Sequence, residues 1–225
     1  MISDYGDVVV RKPWGEEYLC FRNGEVAIWF LHIKAGEKTS MHCHPTKNTG
    51  LVVLKGSLEL SFIRNTISLE GLDKIHIFRA RFHSSYAKTD SFLFEVESPE
   101  DKEDLIRLDD KYGREGTGYE GKEFFSNKTE KHFWLPEPTE GEEVHLHDCS
   151  LRHLELKNKK ELYGMSEKDI VVFTSGGILA TGDKKILYPG DIADGVTLEK
   201  IASKFEIQKK TTVLKIKKVA HAKPL

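Results

Sequence analysis

Between Val26 and Glu97 the apolar residues arrive in short runs or alternations, VAIWFLHI, GLVVLKGSLELSFI, TISLEG, KIHIF and SFLFEVE, each bounded by Gly, Asn, Asp or Lys. These runs are too short for buried helices, and alternation puts every second side chain on one face of a strand. Turn signals about every 8 to 12 residues favour a sandwich or closed barrel over alternating strand and helix units. The expectation is an all-β core.

The character changes after this block. Ser98 to Asp110 is densely charged and Tyr112 to Gly121 carries four glycines, a pattern that predicts a short helix followed by a loop. Farther on, Pro136 and Pro138 break any regular element. The organisation read from this is an N-terminal barrel over 1–118, a connector over 119–143 and a C-terminal β domain over 144–225. In the last, LRHLELK, KDIVVFTSGGILATG, KKILYP and TTVLKIK again read as strands. Val171-Val172-Phe173 before Gly176-Gly177 echoes Val52-Val53-Leu54 before Gly56, and Gly190-Asp191 echoes the Gly71 to Asp73 turn at nearly the same offset. Two marks that keep one spacing are what a duplicated unit leaves. The second half is therefore expected to be a degenerate copy of the first barrel.

Composition narrows the function classes. With 34 Lys and Arg against 36 Asp and Glu, the net charge of -2 supplies no global positive field for a phosphate backbone. Nucleic acid is not an expected partner. Cys20, Cys43 and Cys149 are odd in number and lack CxxC spacing, which argues against a disulfide framework or a thiolate zinc site and for a reducing compartment. The start, Met-Ile-Ser-Asp-Tyr-Gly-Asp, has no basic segment followed by an apolar one, and no run of about 18 apolar residues occurs. The expectation is a cytoplasmic protein with no membrane partner.

His42 and His44 stand two apart, so in an extended strand both imidazoles face one way and Cys43 the other. Neutral imidazoles suit a divalent transition metal such as Zn, Fe, Ni or Mn, with a third ligand brought in by barrel closure. His83 is the candidate. His145 and His147 form a second HxH pair beside Asp148, but they fall too early in the second half to occupy the corresponding strand. Trp14, Trp29 and Trp134 read as core or interface anchors.

In this region the chain resembles the cupin superfamily. Gly36, EKTSM, His42-Cys43-His44, PTKNT and Gly56 follow the order of the first cupin motif, and GLDKIHIFRARFH, ending on His83, follows the second. Lys12-Pro13-Trp14-Gly15 and the DLIRLDDKYGR stretch from Asp104 to Arg114 resemble the flanks of the cupin module of type II mannose-6-phosphate isomerases. The resemblance covers about residues 10 to 115 and implies a jelly-roll barrel, or double-stranded β-helix. With the echo downstream it implies a bicupin whose second barrel is degenerate. It also implies a metal on His42, His44 and His83, a phosphorylated or nucleotide-linked sugar as substrate, and isomerisation or epimerisation in polysaccharide synthesis. A homodimer is expected by the same resemblance.

Where that family usually has a glutamate ligand, this chain has Lys47, Asn48 and Thr49. Three histidines alone still make an open metal site, as in three-histidine iron dioxygenases, and a non-catalytic sugar-binding barrel is the third alternative. Glu59, His76, Glu95 and Glu97 are candidates for a fourth ligand. Glu95, mid-strand in an apolar run, is the candidate acid/base, since desolvation raises a carboxyl pKa toward the useful range. Arg79 and Arg81, just before His83, together with Lys47, are the candidates for binding a phosphate or carboxylate of the substrate.

Overall fold

A computed structural model describes residues 5–138 and 142–219. The chain divides into two compact units, Met1–Trp134 and Leu135–Leu225.

The first unit opens with β1 (Val8–Lys12), β2 (Gly15–Arg22), β3 (Ala27–Ile33) and β4 (Met41–Cys43). The expected meander follows as β5 (Asn48–Lys55), β6 (Ser57–Phe62), β7 (Thr66–Glu70), β8 (Lys74–Ile77), β9 (His83–Ala87) and β10 (Ser91–Ser98), before β11 (Ile106–Asp109) and β12 (Phe125–Asn127). Seven strands form one antiparallel sheet in the order β12-β1-β2-β3-β10-β5-β8, and five form the other, β11-β4-β9-β6-β7. Apolar side chains from both sheets, among them Trp29, Leu31, Leu51, Val53, Leu58, Leu60 and Leu93, meet in one core. This is an all-β double-stranded β-helix.

Strand composition follows burial. β6 is half-exposed and alternates, its Leu58, Leu60 and Phe62 inward. β3 reads as a continuous apolar run because both of its faces are covered. Trp29, Leu31 and Ile33 join the core, while Phe30 stacks on Tyr18 at 5.0 Å. On that outer face Phe133 lies against Phe94.

The charged stretch after β10 holds no α-helix. It turns through Pro99 and pairs as β11 with β4, Ile106 opposite Cys43 and Arg107 opposite His42. Residues 119–134, read from sequence as connector, belong to the first unit because β12 pairs with β1 and Tyr119 packs on the core.

The second unit contains β13 (Val144–Leu146), β14 (Cys149–Glu155), β15 (Ile170–Ser175), β16 (Ile178–Leu179), β17 (Lys185–Leu187), β18 (Ile192–Asp194), α1 (Gly195–Lys204), β19 (Glu206–Ile207) and β20 (Thr212–Lys218). Its sheets run β13-β14-β20-β15-β18 and β17-β16-β19. The segment β14-β20-β15-β18 has the same order as β3-β10-β5-β8, and β17-β16-β19 the same as β7-β6-β9. A local hydrogen-bond pair also recurs: Val53 N–H donates to Asp73 O at 2.9 Å and Val53 O accepts from Leu72 N–H at 2.7 Å, while Phe173 N–H donates to Asp191 O at 2.9 Å and Phe173 O accepts from Gly190 N–H at 2.8 Å.

The helix α1 is a departure from the all-strand expectation. Asp194 caps it, its carboxylate accepting from Thr197 N–H at 2.8 Å, and Leu198 and Ala202, four apart, bury one face. That face joins Leu162, Met165, Phe173 and Val213 in an apolar core.

Candidate metal centre

β4 and β9 lie side by side with His42 directly opposite His83, and His44 follows β4 on the same face. The ring centroids are 4.4 Å apart for His42 and His83, 5.0 Å for His42 and His44, and 5.6 Å for His44 and His83. One ring nitrogen from each lies within 4.8 Å of the others, and this is the one such histidine, cysteine or carboxylate group among the described residues.

The hydrogen bonds fix the tautomers. His42 Nδ1 is 2.8 Å from Ser40 O, His44 Nδ1 is 2.7 Å from Asp104 O, and His83 Nδ1 is 3.0 Å from Arg81 O. A carbonyl only accepts, so each Nδ1 carries its proton and each Nε2 presents a lone pair. His44 Nε2 is buried and meets no partner among the described residues. Burial pushes all three pKa values down, His44 to about 3 and His83 to about 4, and His42 well below the usual range. After burial, the repulsion that protonated neighbouring rings would exert adds to the effect at His42, and the positive charge of Lys47 adds to it at His44 and His83. Three neutral imidazoles, oriented through Nδ1 by backbone carbonyls, fit a transition metal.

Asp104 sets the bend that carries His44. Its carboxylate accepts from Thr46 N–H at 3.0 Å and Lys47 N–H at 2.9 Å, while its carbonyl holds the ring. No motif in the sequence marked this dual role.

The histidines line a cavity of about 60 Å³ whose remaining wall is dominated by charge. Leu93, Glu95 and Glu97 share the inward parity of β10, with Glu95 opposite Trp29 and Glu97 opposite Thr49. Glu97 is fully buried, and its Oε1 accepts from Lys47 Nζ and Lys102 Nζ, both at 2.8 Å. Although burial opposes it, these two ammonium groups hold Glu97 below the usual carboxylate range. Burial raises Glu95, whose nearest cation is Lys102 at 3.5 Å. Lys102 also lies 3.7 Å from Glu17, which binds Tyr119 Oη, and Lys12 bridges Glu17 to Glu120. Sequence reading missed Glu17, Lys12, Lys102 and Glu120. Glu17 shares the parity of core residue Leu19 on β2, which was a legible sign.

Of the proposed anion ligands, Lys47 is 1% exposed and lines the cavity, whereas Arg79 and Arg81 are exposed. Arg81 lies over Phe62 at 3.7 Å. Their loop is tied to the histidines, since Ala80 N–H donates to His44 O at 2.7 Å and Arg81 O accepts from His83. Among the possible fourth ligands, Glu59 pairs with Lys88 at 2.8 Å on the surface, and neither Glu95 nor Glu97 joins the three rings within ligating distance. His145 is exposed beside Glu143 and belongs to no metal-type group among the described residues. Trp29 is core, Trp14 lines the cavity, and Trp134 is 45% exposed.

No family model and no curated protein matches the chain. Solved structures of similar shape include KdgF from Halomonas sp., at 18% identity over 44% of this chain and 94% of that one, with a TM-score of 0.40. A double-stranded β-helix protein from Klebsiella pneumoniae matches at 12% identity over 49% and 86%, TM-score 0.39. A salicylate 1,2-dioxygenase from Pseudoaminobacter salicylatoxidans, in complex with gentisate, matches at 21% identity over 33% and 20%, TM-score 0.32. Each likeness spans less than half of this chain, and the barrel assignment rests on the sheet order of the first unit itself. Among the described residues no helix is long and apolar enough to cross a membrane.

Proposed function

We propose that the first unit is a metal-dependent enzyme of the cupin type, holding a divalent transition metal on His42, His44 and His83. The observation that carries this reading is the convergence of three imidazoles whose Nδ1–H groups are all spent on backbone carbonyls. Bound there, the metal would polarise a substrate carbonyl and stabilise the oxyanion formed from it. Glu95, buried and biased toward its protonated form, is the acid/base group.

The reaction we favour is isomerisation or epimerisation of a phosphorylated or nucleotide-linked sugar, as the resemblance to sugar-phosphate cupin modules implies. The cavity admits only the reacting end of such a molecule, and a phosphate would stay outside, near the exposed Arg79 and Arg81. A three-histidine iron dioxygenase is the second reading. It is favoured by the absence, among the described residues, of a carboxylate within ligating distance of the three rings.

We further propose that the chain is a bicupin, the second unit a copy that lost its site. The shared strand order and the repeated hydrogen-bond pair, centred on Val53 and Phe173, support it. A cytoplasmic homodimer completes the proposal, consistent with three buried free thiols.

Elemental analysis of untagged protein, with His42→Ala/His83→Ala as the control, tests the metal reading. Near one equivalent of zinc, nickel or manganese that vanishes in the control leads to sugar-phosphate assays, where His44→Ala abolishes turnover. Near one equivalent of iron leads to oxygen-consumption assays. No metal, even after reconstitution, refutes the centre.

A further inference from the structure

The charge inventory of the cavity says what accompanies the metal. Arg114 makes a two-point contact with Asp110, at 2.9 and 2.8 Å, and a further one with Glu120 at 2.6 Å, and it and Asp110 cancel in charge. The cavity then has four other cations, Lys12, Lys47, Lys102 and Arg107, and four carboxylates, Glu17, Glu95, Glu97 and Glu120. With Glu95 ionised these groups balance, and with Glu95 protonated, as its burial favours, they carry one net positive charge. The pairs are internal: Lys12 and Arg107 with Glu120, Lys12 and Lys102 with Glu17, Lys47 and Lys102 with Glu97. Three neutral imidazoles add no charge. A divalent cation therefore brings two positive charges into a buried space with no acid left to meet them, and uncompensated buried charge is costly.

Lys47 sharpens the imbalance. Its ammonium spends one N–H on Glu97 Oε1 and one on Asp101 O, at 2.8 and 2.7 Å, which leaves one for a ligand in the cavity it lines with the three histidines. The space, about 60 Å³, has room for on the order of two to four waters.

We propose that Lys47 and the metal together make this cavity a receptor for a small anion of carboxylate size, bound at the open coordination position beside the ammonium. The inference rests on the metal reading above and deepens it: the group that enters first is charged, not a neutral hydroxyl. The same ammonium that receives the anion disfavours a bare cation, so metal and anion bind with positive coupling.

The test loads the full chain with Co²⁺, confirms uptake by calorimetry, and follows the cobalt visible bands while acetate, acetamide or inorganic phosphate is added. Acetate should shift the bands, with acetamide and phosphate at least ten-fold weaker. Lys47→Met should bind acetate at least ten-fold more weakly while holding Co²⁺ at least as tightly, and Lys47→Arg should restore much of the acetate response. Bands that respond equally to acetate and acetamide in the wild-type protein overturn the inference even if Lys47→Met does not fold. Acetate affinity within two-fold of wild type in folded Lys47→Met overturns it as well. Failure of the wild-type chain to take up Co²⁺ sinks the metal reading itself, whereas uptake with bands blind to acetate sinks this inference alone.

Discussion

Replacing Glu97 by Gln removes one charge from the most buried part of the ion network while keeping size and an acceptor oxygen. The carboxylate is fully buried, and its two partners, Lys47 and Lys102, are 1% and 8% exposed. They are not equally hurt. Lys102 keeps Glu95 at 3.5 Å and Glu17 at 3.7 Å, but Lys47 loses the carboxylate it pairs with and keeps only the Asp101 carbonyl. Breaking a buried ion pair from one side costs about 3–5 kcal/mol. With Gln still accepting a hydrogen bond, the lower figure of about 3 kcal/mol applies. For a unit of this size that is a drop in Tm of about 10 °C. Trp14, Trp29 and Trp134 all lie within Met1–Trp134, so urea unfolding followed by tryptophan fluorescence reports on this unit alone. The partner test is Lys47→Met/Glu97→Gln, which should be at least about 1 kcal/mol more stable than the sum of the single losses, because it removes the stranded cation along with its acid. A Glu97→Gln protein within about 0.5 kcal/mol of wild type, or strictly additive losses, would refute the view that Glu97 anchors the cavity electrostatically.

Three further outcomes are expected. In metal-free protein the folded pKa values of His44 and His83, about 3 and 4, lie below the ordinary 6.5, so the unfolded chain binds protons first on acidification. Stability is complete above pH 6.5 and falls as the pH drops toward those values, by about 2 kcal/mol per histidine at pH 5; His83→Gln should flatten the fall in urea unfolding measured across this range. Asp104→Ala releases the Thr46 and Lys47 amides that shape the bend after His44, and should lower Co²⁺ affinity by on the order of ten-fold in calorimetry. Gly56 has φ of +98° and a Cβ there would stand 2.5 Å from the Asp90 carbonyl oxygen, so Gly56→Ala should cost about 2 kcal/mol or more by the same fluorescence assay.

The parts legible in the sequence are those governed by local periodicity. Alternation in SLELSF and the turn signals around it fix strands whatever they pack against, and HxH puts two rings on one face by pleat geometry alone. His83 was supported by the likeness of GLDKIHIFRARFH to the second cupin motif, which no local period supplies. The same parity argument reaches Glu95 and Glu97, inward with Leu93, but it cannot say which carboxylates will be met by lysines. Lys12 and Lys102 come from segments without any period, and their ends converge only once the barrel has closed. The charged stretch from Ser98 misled for a related reason: its polarity reflects salt links and an edge strand with exposed Ile106 and Leu108, not a solvated helix.

The pairing registers bear on why one unit carries the candidate site and the other does not. Leu58 pairs with Ala87 as Ile178 pairs with Ile207, and Phe94 with Val52 as Leu214 with Val172, an offset of 120 residues on these strands that becomes 118 between β8 and β18 and 123 between β3 and β14. β4 lies between β3 and β5, whose offsets are 123 and 120, so His42 falls at 162–165 and His44 at 164–167, while His83, at the 120 of β9, falls at Ser203. Leu162 is fully buried in the second apolar core, and Ser203 sits on α1, whose Leu198 and Ala202 pack into that same core. Helix and leucine thus pack hydrocarbon together in the second unit, and no ligand set of comparable kind exists among its described residues. Titration of the whole chain with Co²⁺ should therefore saturate at about one equivalent, and His42→Ala/His83→Ala should remove all of it. A second equivalent that survives this double substitution would place a metal site in the second unit and break the correspondence.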